Sequence, residues 1–261
     1  MRCGLALMLV VTCGVAAGCL KPPAQPTQTP EAPPSTTTPS KPVVSVTPAQ
    51  APPTAKPAFG FSPTLQQESG KQGKVDYNVK LPQVTGDKAG ARDRFNDGMR
   101  VALKDVVRTL DDPKAAKPAT VGDGQLQAGE SSRVVFIGPH VLSGVAVFLS
   151  NSGGPYPSNR VATITINTDT AQPIMFGDVF ADQGAAREQL RKLAQELGPP
   201  DRIKAAGDMK SEQFLHWLPV PTGLTFYVSV PHVAGDYVPV TVPWAKIRDR
   251  VAPGMQTILS Q

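Results

Sequence analysis

The chain has 261 residues, with 26 lysines and arginines against 21 aspartates and glutamates, and a formal net charge of +5. This small excess comes without a basic run interleaved with aromatic residues, which argues against nucleic-acid binding. All three cysteines, Cys3, Cys13 and Cys19, lie near the N-terminus, so the body of the chain cannot hold a disulfide framework.

The N-terminal segment is typical of an export signal. Arg2 supplies a positive charge, an apolar stretch follows it, and small residues come before Cys19. The four residues before that cysteine resemble the lipobox of bacterial lipoproteins, although these proteins prefer leucine at the position of Ala16. They are Val15, Ala16, Ala17 and Gly18. The resemblance implies transfer of diacylglycerol to the Cys19 sulfur and cleavage before Cys19.

We therefore predict a lipoprotein signal peptide over residues 1–18. The protein would pass through the secretory pathway and stay lipid-anchored on the outer face of the cell membrane. Two or three acyl chains hold a protein on a membrane where a single chain does not. The alternatives are a signal cleaved without lipid attachment and a retained membrane span over residues 3–20. That uncharged stretch is close to the lower limit for a span, and its three glycines weaken it further.

Residues 19–70 are predicted to form the lipidated end and a tether that leads to the folded domain. Residues 22–63 contain 13 of the chain's 28 prolines and almost no large apolar residues. Proline removes backbone donors and fixes φ, so this composition favours a disordered, polyproline-II-like linker. At ~3.1 Å per residue, full extension would reach roughly 130 Å from the membrane.

Residues 71–261 are long enough for one domain, which begins with a strand and a helix. The strand is predicted over 75–84 and the helix over 88–110, with Asp87 as the N-cap of the helix. Apolar residues at three- and four-residue spacings predict the buried stripe of this helix. The stripe consists of Phe95, Met99, Ala102, Val106 and Leu110.

The rest of the domain combines short strands with a second helix. That helix is predicted over 183–197, capped by Asp182 and ended by Gly198-Pro199-Pro200, and a last short helix opens at Pro243. Short apolar runs predict the strands, with clear alternation in 160–167 and 223–230. They are 133–137, 141–150, 160–167, 214–220, 223–230 and 237–242. This order predicts an α+β fold with a twisted, largely antiparallel or mixed sheet packed by two or three helices.

The order of motifs over residues 75–250 resembles a family of bacterial extracellular domains. That family includes the lysozyme-sensing domain of the anti-sigma factor RsiV and a secreted mycobacterial immunogenic protein. Within 150–180 the resemblance consists of a strand, a Gly-Gly-x-x-Pro turn, a second strand and a later Asp-x-Phe motif. The matching residues are Gly153, Gly154, Pro157, Asp169, Pro173, Asp178 and Phe180. Relatives often have histidine in the turn where this chain has Tyr156, so a role of that histidine does not transfer.

The segment at the Gly-Gly turn is the candidate recognition loop. Its residues are Gly153, Gly154, Pro155, Tyr156 and Pro157. A hairpin connection needs such residues for its backbone angles, which is the purely structural interpretation. The same loop also suits the presentation of Tyr156 as a rigid aromatic contact to a partner.

A hydrolytic site is the alternative interpretation, because some relatives in the resembled family are described as esterases. Its candidate catalytic residues are Ser150, Ser152 and His216. The chain lacks a Gly-x-Ser-x-Gly elbow, and His140 and His232 lie in predicted turns.

The sequence contains no zinc-binding, EF-hand, P-loop or dinucleotide motif, so we predict neither a metal nor a cofactor. Asp169, Asp178 and Asp182 lack the spacing of metal ligands, and turn or helix-cap roles explain them better.

These observations predict a membrane-anchored cell-envelope lipoprotein whose tethered domain binds a partner and performs no chemistry. The resemblance to a lysozyme-sensing domain implies a muramidase, that is a lysozyme-like protein, or a cell-wall polymer as that partner. The alternative is a cell-envelope esterase that acts on short acyl esters.

Overall fold

The computed structural model describes residues 52–209 and 214–261, which form a mixed α+β fold. The predicted signal peptide, the lipobox and most of the predicted tether lie outside these residues. In chain order the elements are β1 (Phe61–Gln72), β2 (Val75–Gly86), α1 (Ala89–Leu110), β3 (Ala119–Asp123), β4 (Arg133–Ile137), β5 (Val141–Asn151), β6 (Ser158–Asn167), α2 (Phe176–Val179), α3 (Gln183–Leu197), α4 (Pro200–Ala205), β7 (Trp217–Val220), β8 (Gly223–Ser229), β9 (Tyr237–Pro243) and α5 (Met255–Ser260).

The larger sheet has six strands and is mixed, as predicted. Strands β1, β2, β3, β5 and β4 follow one another in that order, and β6 pairs with β5. Only the β2–β3 pair is parallel among these pairings, because α1 crosses over between the two strands. Strand β6 pairs with almost the whole of β5, whereas β3 and β4 pair with different segments of β5.

The smaller sheet is antiparallel, with β8 between β7 and β9. Its residues alternate between two cores, as the period of a strand requires. Tyr227 of β8 packs with Val145 and Val147 of β5, whereas its neighbour Phe226 packs in the cluster that contains Leu190 of α3. The smaller sheet therefore lies between the larger sheet and α3.

Helix α1 packs on the opposite face of the larger sheet, and its buried stripe differs in part from the predicted one. Phe95 and Met99 are buried as predicted, but Leu103 and Val107 continue the stripe at four-residue spacing. Three predicted members, Ala102, Val106 and Leu110, are only half-buried. The predicted N-cap Asp87 is also wrong, because Lys88 occupies that position without a side-chain cap.

Helix α3 begins and ends at the predicted residues. The Asp182 carboxylate accepts a hydrogen bond from the Ala185 N–H at 2.9 Å, which confirms it as the N-cap. The helix stops before Gly198, where an added Cβ would lie 2.5 Å from the Ile203 side chain. The chain does not become a loop there, however, because Pro200 opens α4.

Several predicted boundaries are corrected by the structure. The folded domain starts before residue 71, because β1 runs from Phe61 to Gln72 and pairs with β2 along its length. Gly73, with φ +52°, stands in the turn between them. The helix predicted at Pro243 is a single 3₁₀ turn, and the strand predicted from residue 214 begins only at Trp217.

Candidate functional site

The candidate recognition loop connects β5 to β6 and lies on the surface. The Tyr156 side chain is 76% exposed. Gly153 adopts φ +87°, and its N–H donates to the Asn151 Oδ1 at 2.8 Å. A Cβ on Gly153 would lie 2.8 Å from the Lys117 Cβ, so this position requires glycine for both its backbone angle and its close contact.

The base of this loop is fixed to the connection between β8 and β9. Asp236, which is 7% exposed, accepts hydrogen bonds from the Asn159 N–H at 2.8 Å and the Asn159 side-chain amide at 3.1 Å. Its other carboxylate oxygen lies 2.9 Å from the His232 Nδ1. These contacts hold the first residues of β6 against the smaller sheet and so restrain the loop that precedes them.

A cavity of about 290 Å³ opens further along β6, and we call it the polar cavity because charged and hydroxyl-bearing side chains are among its lining residues. Its lining residues come from α1, from β6 and from the two edge strands of the smaller sheet or the residue next to them. They are Ala102, Asp105, Val106, Thr109, Arg160, Val161, Ala162, His216 and Tyr237. The His216 and Tyr237 rings make an edge-to-face contact with centroids 5.8 Å apart.

Burial sets the protonation of the two rings in the polar cavity. It lowers the pKa of the His216 imidazole below its ordinary value and raises the pKa of the Tyr237 phenol. At neutral pH the cavity therefore presents an uncharged imidazole and an uncharged phenol. Arg160 and Asp105 supply the charged groups at its wall, and Asp105 is paired with Arg108 at 2.9 Å.

An apolar cavity of about 310 Å³ lies beside Thr163, Ile164 and Thr165, the next residues of β6. The other lining residues are Pro173, Ile174, Met175, Phe176, Arg187, Phe214, Leu215 and Trp217. Met175 and Leu215 are 63% and 60% exposed, so the mouth of this cavity presents apolar surface to solvent. The Arg187 guanidinium lies over the Phe176 ring, 4.7 Å from its centroid.

No described hydrogen bond joins the alternative esterase candidates Ser150, Ser152 and His216 to one another. The Ser150 hydroxyl donates to the Ser158 carbonyl at 2.9 Å, across the β5–β6 pair. Neither Ser150 nor Ser152 lines the polar cavity that contains His216. A serine nucleophile needs its base within hydrogen-bond reach, so the described contacts of these residues give no support to that set.

The other residues considered at the sequence level serve local structure. The His140 Nδ1 lies 2.7 Å from the Asp169 carboxylate in two adjacent turns. The Asp178 carboxylate accepts a hydrogen bond from the Met175 N–H at 2.7 Å, at the start of α2. Within residues 52–209 and 214–261, no three side chains of metal-binding type come together.

The lipidation residue Cys19 and the lipobox residues Val15, Ala16, Ala17 and Gly18 lie outside the described residues. In the part of the chain that the structure describes, no helix has the length and apolar character needed to cross a bilayer.

Sequence reasoning missed most of the cavity residues. Leu215, Trp217 and Tyr237 were expected to be ordinary strand residues, and nothing in the pattern distinguished Arg187 from its neighbours on α3.

No protein-family model matches the chain, and neither does any curated protein sequence. Among solved structures, a DUF3298 family protein from Pseudomonas aeruginosa PAO1 has a TM-score of 0.52 and 12% sequence identity, covering 76% of this chain and 96% of that one. A DUF3298 family member from Bacteroides fragilis NCTC 9343 is also 12% identical, with coverages of 77% and 97% and a TM-score of 0.49. The fold of the described domain is thus similar to that of the Pseudomonas protein.

Proposed function

We propose that this protein is an envelope lipoprotein, anchored through Cys19, whose domain binds a partner through the loop at Gly153–Pro157 and performs no chemistry. The partner that we propose is either a secreted muramidase (a lysozyme-like protein) or the wall polymer that such an enzyme cleaves. Export through the secretory pathway and attachment to the outer face of the membrane are part of this proposal.

The observation that carries the proposal is the exposure of Tyr156 on a restrained loop. Tyrosine buries a large area in a contact at a small entropic cost, and it is enriched among residues that dominate binding energy. Pro155 and Pro157 limit the backbone freedom on either side of it. The loop base is held by Asp236, so little ordering would be needed on binding.

The choice of partner depends on the sequence resemblance. The family that the chain resembles includes a lysozyme-sensing domain, and the described fold is similar to that of a DUF3298 family protein. A lipid and a Pro-rich tether would serve such a domain by holding it near the wall. The absence of chemistry is supported by Ser150, whose hydroxyl is used within the sheet.

The test is to replace Tyr156 with alanine. Purified full-length chain in detergent would be immobilised, and the binding of a lysozyme-type muramidase and of isolated cell-wall sacculi would be measured separately. We expect Tyr156→Ala to weaken binding at least about tenfold, because an exposed aromatic anchor is lost.

Leu65→Ala is the matched control for this substitution. Leu65 is 49% exposed on β1, at the other edge of the larger sheet, so its truncation should leave binding unchanged. If Tyr156→Ala binds as the unaltered chain does, the loop is not the contact. If neither the muramidase nor the sacculi bind the unaltered chain, the proposed partner is wrong.

Replacing Cys19 with serine tests the anchor. The sulfur that would accept diacylglycerol is then absent, so we expect the protein to leave the membrane fraction and to migrate differently on a denaturing gel. Cys13→Ser is the control, because bulky Thr12 precedes Cys13 and a lipobox requires small residues there. A Cys19→Ser protein that stays with the membrane at unchanged mobility would argue for a retained span.

A further inference from the structure

Strand β6 is an edge of the larger sheet, and part of its outer edge is open. Three residues of β6 make hydrogen bonds on the side that faces away from β5. The Asn159 N–H donates to Asp236, the Thr165 C=O accepts from the Ile174 N–H, and the Asn167 N–H donates to the Gln172 C=O. Alternation along an antiparallel strand directs the backbone groups of Val161 and Thr163 the same way. Among residues 52–209 and 214–261, the N–H and C=O groups of Val161 and Thr163 have no hydrogen-bond partner.

The open stretch is weakly protected as an edge: Arg160 is the one charged residue of the strand, and the Trp217 N–H donates to the Thr163 Oγ1 at 3.1 Å beside it. Strand β1, which forms an edge by pairing only with β2, contains Pro63 and Lys71 and is largely polar. Strand β6 has neither proline nor lysine, and its central sequence is VATITI. Such an edge is a template for pairing with another strand.

Both cavities lie along this open stretch. Residues 160–162 line the polar cavity, and residues 163–165 line the apolar one. Thr165 lines the apolar cavity and is 5% exposed, yet its hydroxyl has no hydrogen-bond partner in the described structure. Space for side chains is thus present beside backbone groups that lack a partner.

The charges at the two cavities favour an acidic ligand. Arg160 stands at the polar cavity and Arg187 at the apolar one. Neither makes an ion pair with another residue of the described part of the chain. Asp105 at the polar cavity is already paired with Arg108. Carboxylates of a bound segment would form charge-assisted hydrogen bonds with both guanidinium groups.

We propose that the outer edge of β6 binds an extended, acidic polypeptide segment of another protein by strand addition. Its backbone pairs with Val161 and Thr163, a bulky apolar side chain fills the cavity beside Met175 and Leu215, and carboxylates face Arg160 and Arg187. Only a polypeptide backbone supplies donors and acceptors at the spacing of a strand. This site is separate from the recognition loop and goes beyond the function proposed for it.

The test uses three labelled peptides and the full-length chain, with fluorescence anisotropy as the measurement. The first peptide alternates threonine and valine around one phenylalanine and has an aspartate near each end. The second has the same side chains but carries N-methyl groups on alternate backbone nitrogens. The third replaces the aspartates with lysines.

We expect the first peptide to bind, and the N-methylated peptide to bind at least about tenfold more weakly, because main-chain hydrogen bonds supply affinity in strand addition. Arg187→Glu should weaken binding of the acidic peptide by about tenfold and strengthen binding of the lysine peptide. Lys192→Glu makes the same charge change on α3 outside both cavities, and should alter neither.

Other outcomes would overturn the proposal. Equal binding of the methylated peptide would mean that the backbone is not paired. Equal effects of Arg187→Glu and Lys192→Glu would mean that binding depends on the net charge of the protein and not on the position of Arg187. Failure of the acidic peptide to bind the unaltered chain would reject the site. Tyr156→Ala should leave peptide binding unchanged, so that this result and the result for the loop can be told apart.

Discussion

Replacing Phe95 with alanine should lower the free energy of unfolding by about 3–5 kcal/mol, as expected for a large buried aromatic side chain. Phe95 is fully buried between α1 and the larger sheet. Its ring fills the space above Gly144 of β5, where an added Cβ would lie 2.7 Å from the Phe95 Cζ. The strand and the helix are close together there, so truncation leaves a cavity that neighbouring side chains cannot easily fill.

Urea denaturation of the full-length chain, followed by circular dichroism, measures this change. Val101→Ala is the matched control, because Val101 is on the same helix and largely exposed. Its truncation should change the free energy of unfolding by less than about 0.5 kcal/mol. A loss under about 1 kcal/mol for Phe95→Ala would mean that α1 does not pack through this face.

Helix α3 and strands β5 and β6 were predictable because each carries its own local signal, whereas the short inner strand β3 was missed. Asp182 and the Gly198-Pro199 pair mark the two ends of α3, a continuous apolar run marks β5, and alternation marks β6. Strand β1 was missed because its sequence lacks an alternation of apolar and polar residues. It contains a proline and mostly polar side chains, a composition that also suits a linker.

The recognition loop was visible in the sequence, whereas the cavities beside β6 were not. Glycine and proline near Tyr156 indicate a turn without knowledge of the fold. The polar cavity instead brings together Asp105, Arg160, His216 and Tyr237, which belong to separate elements. Only the packing of α1 and the smaller sheet on either side of β6 places them together, and no local pattern encodes that arrangement.

A buried ionic network was equally hidden from sequence reasoning. Glu130 and Arg133 are three residues apart and buried, with 3.0 Å between the Arg133 Nη2 and the Glu130 Oε1. The Tyr227 hydroxyl donates to the same carboxylate oxygen from β8. Burial, and then the Glu130 charge, raise the pKa of the Tyr227 phenol well above its usual range, so it remains a donor.

Replacing Glu130 with alanine should lower the free energy of unfolding by about 3–5 kcal/mol, because a buried charge then loses its partner. The Arg133 guanidinium would keep only its contact with the Ser131 carbonyl at 3.2 Å, and its Nε already lacks an acceptor in the described structure. The Tyr227 hydroxyl would also lose its acceptor. Both groups lie in the packed region between the two sheets, where water cannot readily replace the carboxylate.

Thermal and urea denaturation would compare this variant with Glu68→Ala and with Tyr227→Phe. Glu68 pairs with Arg100 at 3.3 Å near the surface, so its loss should cost no more than about 1 kcal/mol. Tyr227→Phe keeps the ion pair and removes one hydrogen bond to a charged group, which corresponds to about 1.5–3 kcal/mol. The expected order of destabilisation is therefore Glu130→Ala, Tyr227→Phe, Glu68→Ala. Equal losses for Glu130→Ala and Glu68→Ala would show that water reaches Arg133 and that the network is not buried in solution.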